Sequence, residues 1–318
     1  MTDGLSLFEK KLCNNLQIGL RICRRPYAET AGALGTEEEA VLEGIRDLVK
    51  RKIIRRIGVA VNWRAIGLAG ALVTAHIEQS NLKDVVAAVN SLEGVSHNYL
   101  REHHYNLWFT LRADSEEEVK TILMDLSKRF GAAFHSLPAE RIFKLDARFD
   151  AESEGRRLLI SDKAVPESGP IALDETDREI LSGLQKGLEV VAEPFEALCK
   201  GSLKIDEVLS RIEGLIDKGA ISRLGAVVNH NKLGFTANAM FVCKAEKDKI
   251  EQLGQALARL GNVSHCYERK PFEGWPYNIF GMMHGRSLEE IRHSAEGFVR
   301  EQGIKSFELL ATAATLKK

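Results

Sequence analysis

Two neighbouring predicted strands near the C-terminus carry side chains that can donate protons, bind carboxylates or stack on flat rings. The stretch 263–285 reads VSHCYERKPFEGWPYNIFGMMHG. Strand alternation predicts one polar face on each strand. These faces contain Val263, His265, Tyr267 and Arg269 on the first strand, and Asn278, Phe280, Met282 and His284 on the second. A strand pair built only for packing would not usually place histidine, tyrosine and arginine side by side, so this stretch is a candidate site.

A degraded copy of this stretch lies upstream, at residues 95–112, and reads VSHNYLREHHYNLWFTLR. The offset between the copies is nearly constant, because Gly58 matches Gly225 (225 − 58 = 167) and His97 matches His265 (265 − 97 = 168). Such a regular offset indicates an internal duplication. The first copy keeps His97. Its residue equivalent to His230 is Trp63, and its residue equivalent to His284 is Arg112. We therefore predict that the second copy holds the productive site.

Composition excludes several classes of protein. The chain has 318 residues and a formal net charge of −1, so we expect no global attraction to nucleic acid. Its five cysteines are scattered and form no CxxC pair, which favours free thiols in a reducing compartment and argues against a zinc or iron–sulfur site. No signal peptide and no apolar run long enough to span a bilayer is found. We expect a cytoplasmic protein.

The order of predicted elements indicates an α+β fold made of two tandem copies. Each copy begins with three helices and a strand hairpin, the outline of a winged helix-turn-helix, and continues as a ferredoxin-like βαββαβ unit. We predict winged-helix domains at 1–62 and 171–229, ferredoxin-like domains at 63–147 and 230–318, and a linker at 148–170. The first hairpin is placed at Ile53–Ile54 and 57–61, and the second at 221–228. The last strand of the first copy, 134–143, is expected to break at Pro138.

Residues 173–185 fit the pattern LD..D..IL..LQ and, with the domain order, resemble the Lrp/AsnC family of regulators. The strand motifs indicate a more specific family. Val263-Ser-His-Cys-Tyr-Glu-Arg, Trp275-Pro-Tyr-Asn and Met283-His-Gly, with Val95-Ser-His-Asn-Tyr and Tyr105-Asn-Leu-Trp-Phe-Thr in the first copy, are similar to siroheme decarboxylase subunits. Those enzymes usually pair two subunits, so a fused pair would match this chain as an internal pseudo-dimer. The resemblance implies conversion of siroheme to 12,18-didecarboxysiroheme, on a route to haem or haem d1.

The substrate implied by this resemblance is a flat, iron-bearing tetrapyrrole with many carboxylates. Phe280, Met282, Trp275 and Tyr277 could supply an apolar platform for the ring. Arginines suit the carboxylates because their planar fork binds them bidentately. The candidates are Arg223 and Arg269 in the second copy and Arg55, Arg56 and Arg101 in the first, with His97. The basic run 46–56 could equally be a solvated helix face.

Decarboxylation of a pyrrole acetate leaves electrons that the ring must accept, and a proton must then reach the new methylene. A general acid with a pKa near neutrality is needed, which histidine supplies. His230, His265 and His284 are the candidates, and Tyr267 shares the face of His265. We expect no redox or organic cofactor and no protein-held metal, since the iron belongs to siroheme. An axial bond from His265 or His230 to that iron is left open.

Two other classes of function compete with this hypothesis. The first is a DNA-binding regulator of the Lrp/AsnC type, whose recognition helices should present basic or amide side chains. Here the corresponding helices open with Glu37-Glu38-Glu39 and Asp206-Glu207, which would repel phosphate. We therefore do not expect DNA binding. The second is a non-catalytic tetrapyrrole sensor, which would bind siroheme without forming product. A further homodimer of the fused chain is left open.

Overall fold

The computed structural model of the chain describes residues 4–152 and 170–317. In the first copy the helices are α1 (Leu7–Ile18), α2 (Pro26–Leu34), α3 (Glu38–Lys50), α4 (Leu82–Ser91) and α5 (Glu116–Phe130), and the strands are β1 (Ile54–Val61), β2 (Ala69–Ala75), β3 (His97–Arg101), β4 (Leu107–Ala113) and β5 (Phe134–Leu145). The second copy has α6 (Glu175–Lys186), α7 (Ile205–Asp217), α8 (Ile250–Arg259) and α9 (Leu288–Gln302), with β6 (Ile221–Val228), β7 (Ala237–Cys243), β8 (Val263–Arg269), β9 (Ile279–Gly285) and β10 (Phe307–Lys317).

The predicted α+β fold class and the βαββαβ order of both copies are confirmed. The middle helix of the second three-helix segment is reduced to a single 3₁₀ turn at Glu196–Leu198. The chain divides into two compact units that each combine both copies. We call them the helical unit, residues 1–67 with 148–235, and the barrel unit, residues 68–147 with 236–318.

The predicted wing hairpins at 53–61 and 221–228 are wrong. Each segment forms a single strand, and β1 pairs antiparallel with β6, with Gly58 opposite Gly225. The residues between the two predicted strands of the first hairpin are Arg55 and Arg56. Neither is a turn-forming residue, so the strand continues through them. The partner that a hairpin would have supplied locally comes instead from the other copy.

The start of the segment predicted as a linker packs into the helical unit. Phe149 and Ala151 are buried in its core. The Gln17 side-chain amide donates to the carbonyl of Phe149 at 2.8 Å and accepts from its N–H at 2.8 Å. This pair of bonds satisfies a buried amide and fixes the path of the chain at Phe149. Residues 153–169 of the predicted linker lie outside the described residues.

The barrel unit is a closed eight-stranded barrel with the strand order β10-β3-β4-β2-β5-β8-β9-β7. The expected break at Pro138 is wrong, because β5 continues to Leu145. Its first part pairs with β2 as far as Pro138, and its second part, from Ala139, pairs with β8 of the other copy. Strand β10 likewise pairs with both β7 and β3. Proline lacks an N–H, so it suits the point where the strand changes partner.

The strands bury their outer face under helices and direct the other face into the barrel. Cys266, on the strand face opposite His265, packs in the helix-side cluster and is buried. Val263 lies in the same cluster, so its predicted place beside His265 is wrong. The register between β8 and β9 shifts between Val263 and His265. A bulge of this kind adds one residue and reverses the side on which the preceding side chain lies.

Substitution of Gly225 by alanine should destabilise the helical unit. An added β-carbon would overlap the carbonyl oxygen of Leu16, and one at the equivalent Gly58 would lie 2.7 Å from the carbonyl oxygen of Leu184. Backbone cannot yield as a flexible side chain does, so we expect Gly225→Ala to lower the free energy of unfolding by about 1–3 kcal/mol. Thermal unfolding would measure the change. The control is Gly214→Ala in α7, where no atom lies within 4 Å of the added carbon and stability should rise by up to about 1 kcal/mol. An unchanged melting temperature for Gly225→Ala would show that β6 and α1 can move apart without loss of stability.

Candidate active site

Two matching rows of side chains face the interior of the barrel. All eight strand pairings are antiparallel, so β3 and β8, four strands apart, run in the same direction. The rows are His97, Tyr99 and Arg101 on β3, and His265, Tyr267 and Arg269 on β8. Because the strands are parallel across the barrel, both histidines lie at one end, which we call the mouth. The opposite end, with loops 102–106 and 270–278, is the base.

Contacts within each row repeat between the copies. The rings of His265 and Tyr267 stack with centroids 6.3 Å apart, and those of His97 and Tyr99 stack at 6.2 Å. The guanidinium of Arg269 lies 4.6 Å from the centre of the Tyr267 ring. Arg101 holds the same position over Tyr99 at 5.4 Å. The tyrosine faces thus help to orient both arginines by a cation–π contact.

Both arginines of these rows are buried, and each is held by a strand that crosses between the copies. Arg101 is 4% exposed and donates to the carbonyl of Leu310 at 2.8 Å and to Oγ1 of Thr312 at 3.1 Å, both on β10. Arg269 is 8% exposed and donates to the carbonyl of Leu137 on β5. These partners are neutral oxygens, which orient a guanidinium but do not compensate its charge.

The charge of Arg101 is poorly compensated within the described residues. Burial lowers the pKa of Arg101 to about 10, because desolvation disfavours the charged form. Among the described groups only Tyr99 opposes this shift, and the Nε of Arg101 has no hydrogen-bond partner there. At neutral pH the side chain is still cationic. The barrel interior therefore presents a buried positive charge and an unused donor to any acidic ligand.

His265 and His284 of the second copy both contact the same serine. The Ser264 Oγ lies 2.8 Å from Nδ1 of His265 and 2.9 Å from Nε2 of His284. His284 is 7% exposed and His265 is half-buried. In the first copy Ser96 contacts Nδ1 of His97 at 3.0 Å, but its second partner is the hydroxyl of Thr110 at 2.9 Å. The paired imidazoles are therefore a feature of the second copy, as the sequence predicts.

Aromatic side chains fill the base of the barrel. Trp275 is 1% exposed and contacts Trp108 at 5.3 Å and Tyr277 at 5.0 Å between ring centroids. It lies in a four-residue insertion, because the offset between the copies rises from 168 at Arg269 (269 − 101) to 172 at Tyr277 (277 − 105). Of the predicted platform residues, Trp275, Tyr277 and Phe280 form this buried floor. Met282 is half-buried, and its Sδ lies 3.9 Å from Nη2 of Arg101.

One hydrogen bond and one close polar contact fasten the floor. The Tyr277 hydroxyl donates to Oε1 of Glu308 at 2.8 Å, and Nε2 of His103 lies 2.9 Å from Oε2 of Glu308 without the geometry of a hydrogen bond. The Nδ1 of His103 accepts from the N–H of Tyr105 at 3.0 Å, which places the imidazole proton on Nε2, toward Glu308. Burial and the bond to Glu308 raise the pKa of Tyr277. Tyr277 is therefore a neutral structural donor here.

Four sequence-predicted site residues lie in the helical unit, namely Arg55, Arg56, Arg223 and His230. His230 is buried there, with its ring 5.4 Å from that of Phe149. The Arg223 Nη1 donates to the carbonyl of Gln17 at 2.7 Å near the end of α1, and the Arg56 Nε donates to the carbonyl of Gln185 at 3.2 Å near the end of α6. A positive charge stabilises the C-terminal carbonyls of a helix, so both arginines stabilise helix ends in this unit.

The barrel unit thus contains His265, His284, Tyr267, Arg269, Arg101, His97 and Met282, with Trp275 and Tyr277 at its base. Sequence analysis missed Ser264 and Glu308. The serine could have been found, because the tripeptide Val-Ser-His occurs in both copies. Glu308 could not, since only the closed barrel places it beside the loops of the base. No group of three or more potential metal ligands forms within residues 4–152 and 170–317.

Comparison with known proteins places this geometry in a family. The AsnC-like ligand binding domain matches residues 65–144 and 232–317, and the siroheme decarboxylase NirDL-like HTH domain matches residues 9–55. A siroheme decarboxylase of Hydrogenobacter thermophilus is 32% identical over 311 residues, covering 97% of this chain and 92% of the relative. An alpha subunit of siroheme decarboxylase from Desulfovibrio desulfuricans is 41% identical over 147 residues, 46% of this chain and 85% of the relative.

Solved structures agree with these relatives. The crystal structure of the siroheme decarboxylase NirDL superposes with a TM-score of 0.75 at 30% identity, covering 98% of this chain and 92% of that one. NirDL in complex with an iron-uroporphyrin III analogue gives a TM-score of 0.73 over the same shares. In the described part of this chain no helix is long and apolar enough to cross a membrane. The chain belongs to the siroheme decarboxylase family, in the fused form that carries both copies in one polypeptide.

Proposed function

We propose that this chain is a carboxy-lyase that converts siroheme to 12,18-didecarboxysiroheme by removing two acetate carboxylates as CO2. The relatives named as siroheme decarboxylases support this substrate, and the NirDL complex contains a related iron tetrapyrrole. The product would serve a siroheme-dependent route to haem or haem d1. The observation that carries the proposal is the placement of the buried Arg101 guanidinium and the His265–Ser264–His284 group in one barrel interior.

The arginines would bind and orient the substrate. Arg101 and Arg269 lie deeper than the histidines of their own rows, and siroheme is rich in carboxylates. A carboxylate on Arg101 would supply both the missing counter-charge and an acceptor for Nε. Charge-assisted bonds of this type are stronger than those between neutral groups. His97 and Met282 would contact the ring, while Trp275 and Tyr277 would support the floor below it and exclude water.

His265 would act as the general acid. Each decarboxylation breaks the bond between the acetate methylene and its carboxyl carbon, places the electron pair in the ring system, and then requires one proton on the methylene carbon. The imidazole of His265 is half-buried toward the mouth and is oriented by Ser264 and by stacking on Tyr267. General acids so positioned typically accelerate reactions by about 10²–10⁴-fold. His284 would hold a second proton beside it.

The reaction needs no organic or redox cofactor, because it is electronically balanced by protonation. The iron enters with siroheme and leaves with the product. Of the two candidate axial ligands to that iron, His265 lies in the barrel unit and His230 is buried in the helical unit beside Phe149. A histidine bonded to iron through Nε2 could not donate a proton from that nitrogen, so ligation by His265 would exclude its role as general acid. A changed absorption spectrum of the siroheme complex in His265→Ala would identify that case.

DNA binding is not proposed. The first turns of α3 and α7 contain Glu38, Glu39, Asp206 and Glu207, which would face phosphates as like charges. Asp206 also binds Arg24 at 2.8 Å, so a basic side chain that might have reached DNA is engaged within the helical unit. These helices contribute to the fold.

Anaerobic incubation of the pure protein with siroheme tests the proposed activity. We expect the pigment to lose the mass of two CO2 molecules, with CO2 release in a two-to-one ratio to siroheme and no added cofactor. Mass spectrometry of the pigment measures this directly. Binding of siroheme with no change in mass would identify a tetrapyrrole sensor and overturn the proposal.

Removing the candidate acids should slow turnover while siroheme binding is kept. We expect His265→Ala to lower the rate of CO2 release by about 10²–10⁴-fold, because the positioned proton donor is lost. His284→Ala should lower it by a smaller factor, and His230→Ala tests the remaining candidate. The control is His293→Ala on the exposed face of α9, which should keep the wild-type rate. Full activity in both His265→Ala and His284→Ala would refute the assignment.

Replacing Arg101 by methionine should weaken substrate binding without lowering the thermal stability of the free protein. The lost charge-assisted bonds correspond to about a 10- to 100-fold rise in the siroheme dissociation constant. Because the charge is buried without a carboxylate partner, its removal should leave the thermal midpoint of the free protein unchanged or higher. Titration of siroheme absorbance and thermal unfolding provide the two values. Arg129→Met, on an exposed position of α5, is the control for both. A lower midpoint with unchanged affinity would show that Arg101 is structural only.

A further inference from the structure

The oxygen atoms that bind the Arg101 guanidinium within the described residues all lie at a single nitrogen. The Nη1 donates to the carbonyl of Leu310 at 2.8 Å and to Oγ1 of Thr312 at 3.1 Å. In the same part of the chain the Nε has no hydrogen-bond partner, and the Nη2 has only the Sδ of Met282, at 3.9 Å. A thioether sulfur is a weak acceptor, so the donors of Nε and Nη2 are largely unused.

These two nitrogens form an edge of the guanidinium that suits a carboxylate. The N–H of Nε and one N–H of Nη2 point the same way in the plane, so together they can bind both oxygens of one carboxylate. We call this pair the Nε–Nη2 edge of Arg101. Met282 is half-buried beside it, and its unbranched side chain can adopt other rotamers. A carboxylate could therefore replace the thioether while the bonds at Nη1 are kept.

The hydroxyl of Thr312 is itself held by a second side chain. A guanidinium has only donors, so Oγ1 of Thr312 must accept from Arg101, and its own hydrogen is left to donate. The acceptor is Oδ1 of Asn238, which lies 2.6 Å from Oγ1. The requirement for an acceptor at this point also fixes which way the Asn238 amide is turned. Arg101, Thr312 and Asn238 therefore form a hydrogen-bonded chain with a defined direction.

This chain leads from Arg101 to the strand beside the histidines. Strand β10, which carries Thr312, lies between β3 and β7, and β7 pairs with β9. In that pairing Asn238 is directly opposite His284. Residues directly opposite in an antiparallel pair have their side chains on the same face of the sheet, so these two are neighbours. His284 in turn contacts Ser264. Adjacent polar side chains therefore connect the buried cation to the candidate acids across neighbouring strands.

The equivalent positions in the other half of the barrel cannot form this chain. The strand registers give an offset of 173 between β5 and β10 (307 − 134) and of 168 between β2 and β7 (243 − 75). Ala139 is therefore the equivalent of Thr312, and Gly70 is the equivalent of Asn238. Neither has a polar side chain, so neither can orient Arg269 in this way. The chain is specific to the half that contains the paired histidines.

We propose that Thr312 and Asn238 are positioning residues that hold Arg101 by its Nη1, so that its Nε–Nη2 edge binds one carboxylate of siroheme. This inference rests on the proposed function. The productive site is then composite, because the first copy supplies the cation while the second supplies the residues that orient it and the candidate acids. A carboxylate bound at this edge fixes the macrocycle relative to His265 and His284. The fused chain keeps both contributions in one polypeptide.

A double-mutant cycle on siroheme affinity tests this role in the full chain. Thr312→Val keeps the branched shape but removes the hydroxyl, and we expect it to raise the siroheme dissociation constant about 3- to 10-fold. In the Arg101→Met background the same substitution should change the constant less than about twofold, because no guanidinium is left to orient. In the Arg269→Met background its full effect should remain. Titration of siroheme absorbance measures each constant.

Further variants separate positioning from packing. Thr312→Ser keeps the hydroxyl and should stay within about twofold of the wild-type affinity. Thr121→Val makes the same substitution at an exposed position of α5 and is the matched control. If Thr312→Val lowers the thermal midpoint, Asn238→Ala takes its place in the cycle, because it removes the acceptor of the hydroxyl.

Two results would overturn the positioning role while leaving the decarboxylase activity intact. One is an effect of Thr312→Val that is equally large in the Arg101→Met background, which would show that the threonine acts without the arginine. The other is an unchanged dissociation constant for Thr312→Val in the otherwise wild-type chain. A wild-type protein that binds siroheme but releases no CO2 would instead overturn the proposed function itself.

Discussion

Closure of the barrel by strands that pair across the two copies is the constraint on which the rest of the structure depends. A four-stranded sheet has two edges with unpaired backbone groups, and those edges are open to aggregation unless something covers them. Here β5 and β10 are each long enough to finish their own sheet and then pair with β8 or β3 of the other copy. Both edges of both sheets are removed at once, and the enclosed space is lined by residues from both copies.

The same two strands also hold the buried cations. Arg101 of the first copy donates to β10 of the second, and Arg269 of the second donates to β5 of the first. Because the acceptors are backbone carbonyls of crossing strands, neither guanidinium could be positioned by its own copy alone. Isolated burial of such a charge is unfavourable. A polyanionic ligand would offset that cost. The strand crossings that position the two buried arginines therefore favour binding of acidic ligands.

The sequence is sufficient for some of this structure because the relevant signals are local. Alternation and helical spacing predict the βαββαβ order, and the repeated motif places His265, Tyr267 and Arg269 on one strand face. Partner choice between strands is not local. The segment 53–61 is therefore predicted as a hairpin, although the partner of its strand lies in the other copy. The repeated Val-Ser-His tripeptide marks Ser264, but the register shift beside it, which affects which side chains it meets, leaves no mark in the hydrophobic pattern.

The four-residue insertion that carries Trp275 has a further geometric consequence. It has no counterpart in the first copy, so it adds to the differences that break the approximate two-fold symmetry of the repeated strands about the barrel axis. With the indole placed from one copy only, two orientations of a flat ligand related by half a revolution contact different surfaces and differ in energy. Siroheme has no such symmetry of its own. The insertion therefore makes the two in-plane orientations of a flat ligand inequivalent within the barrel.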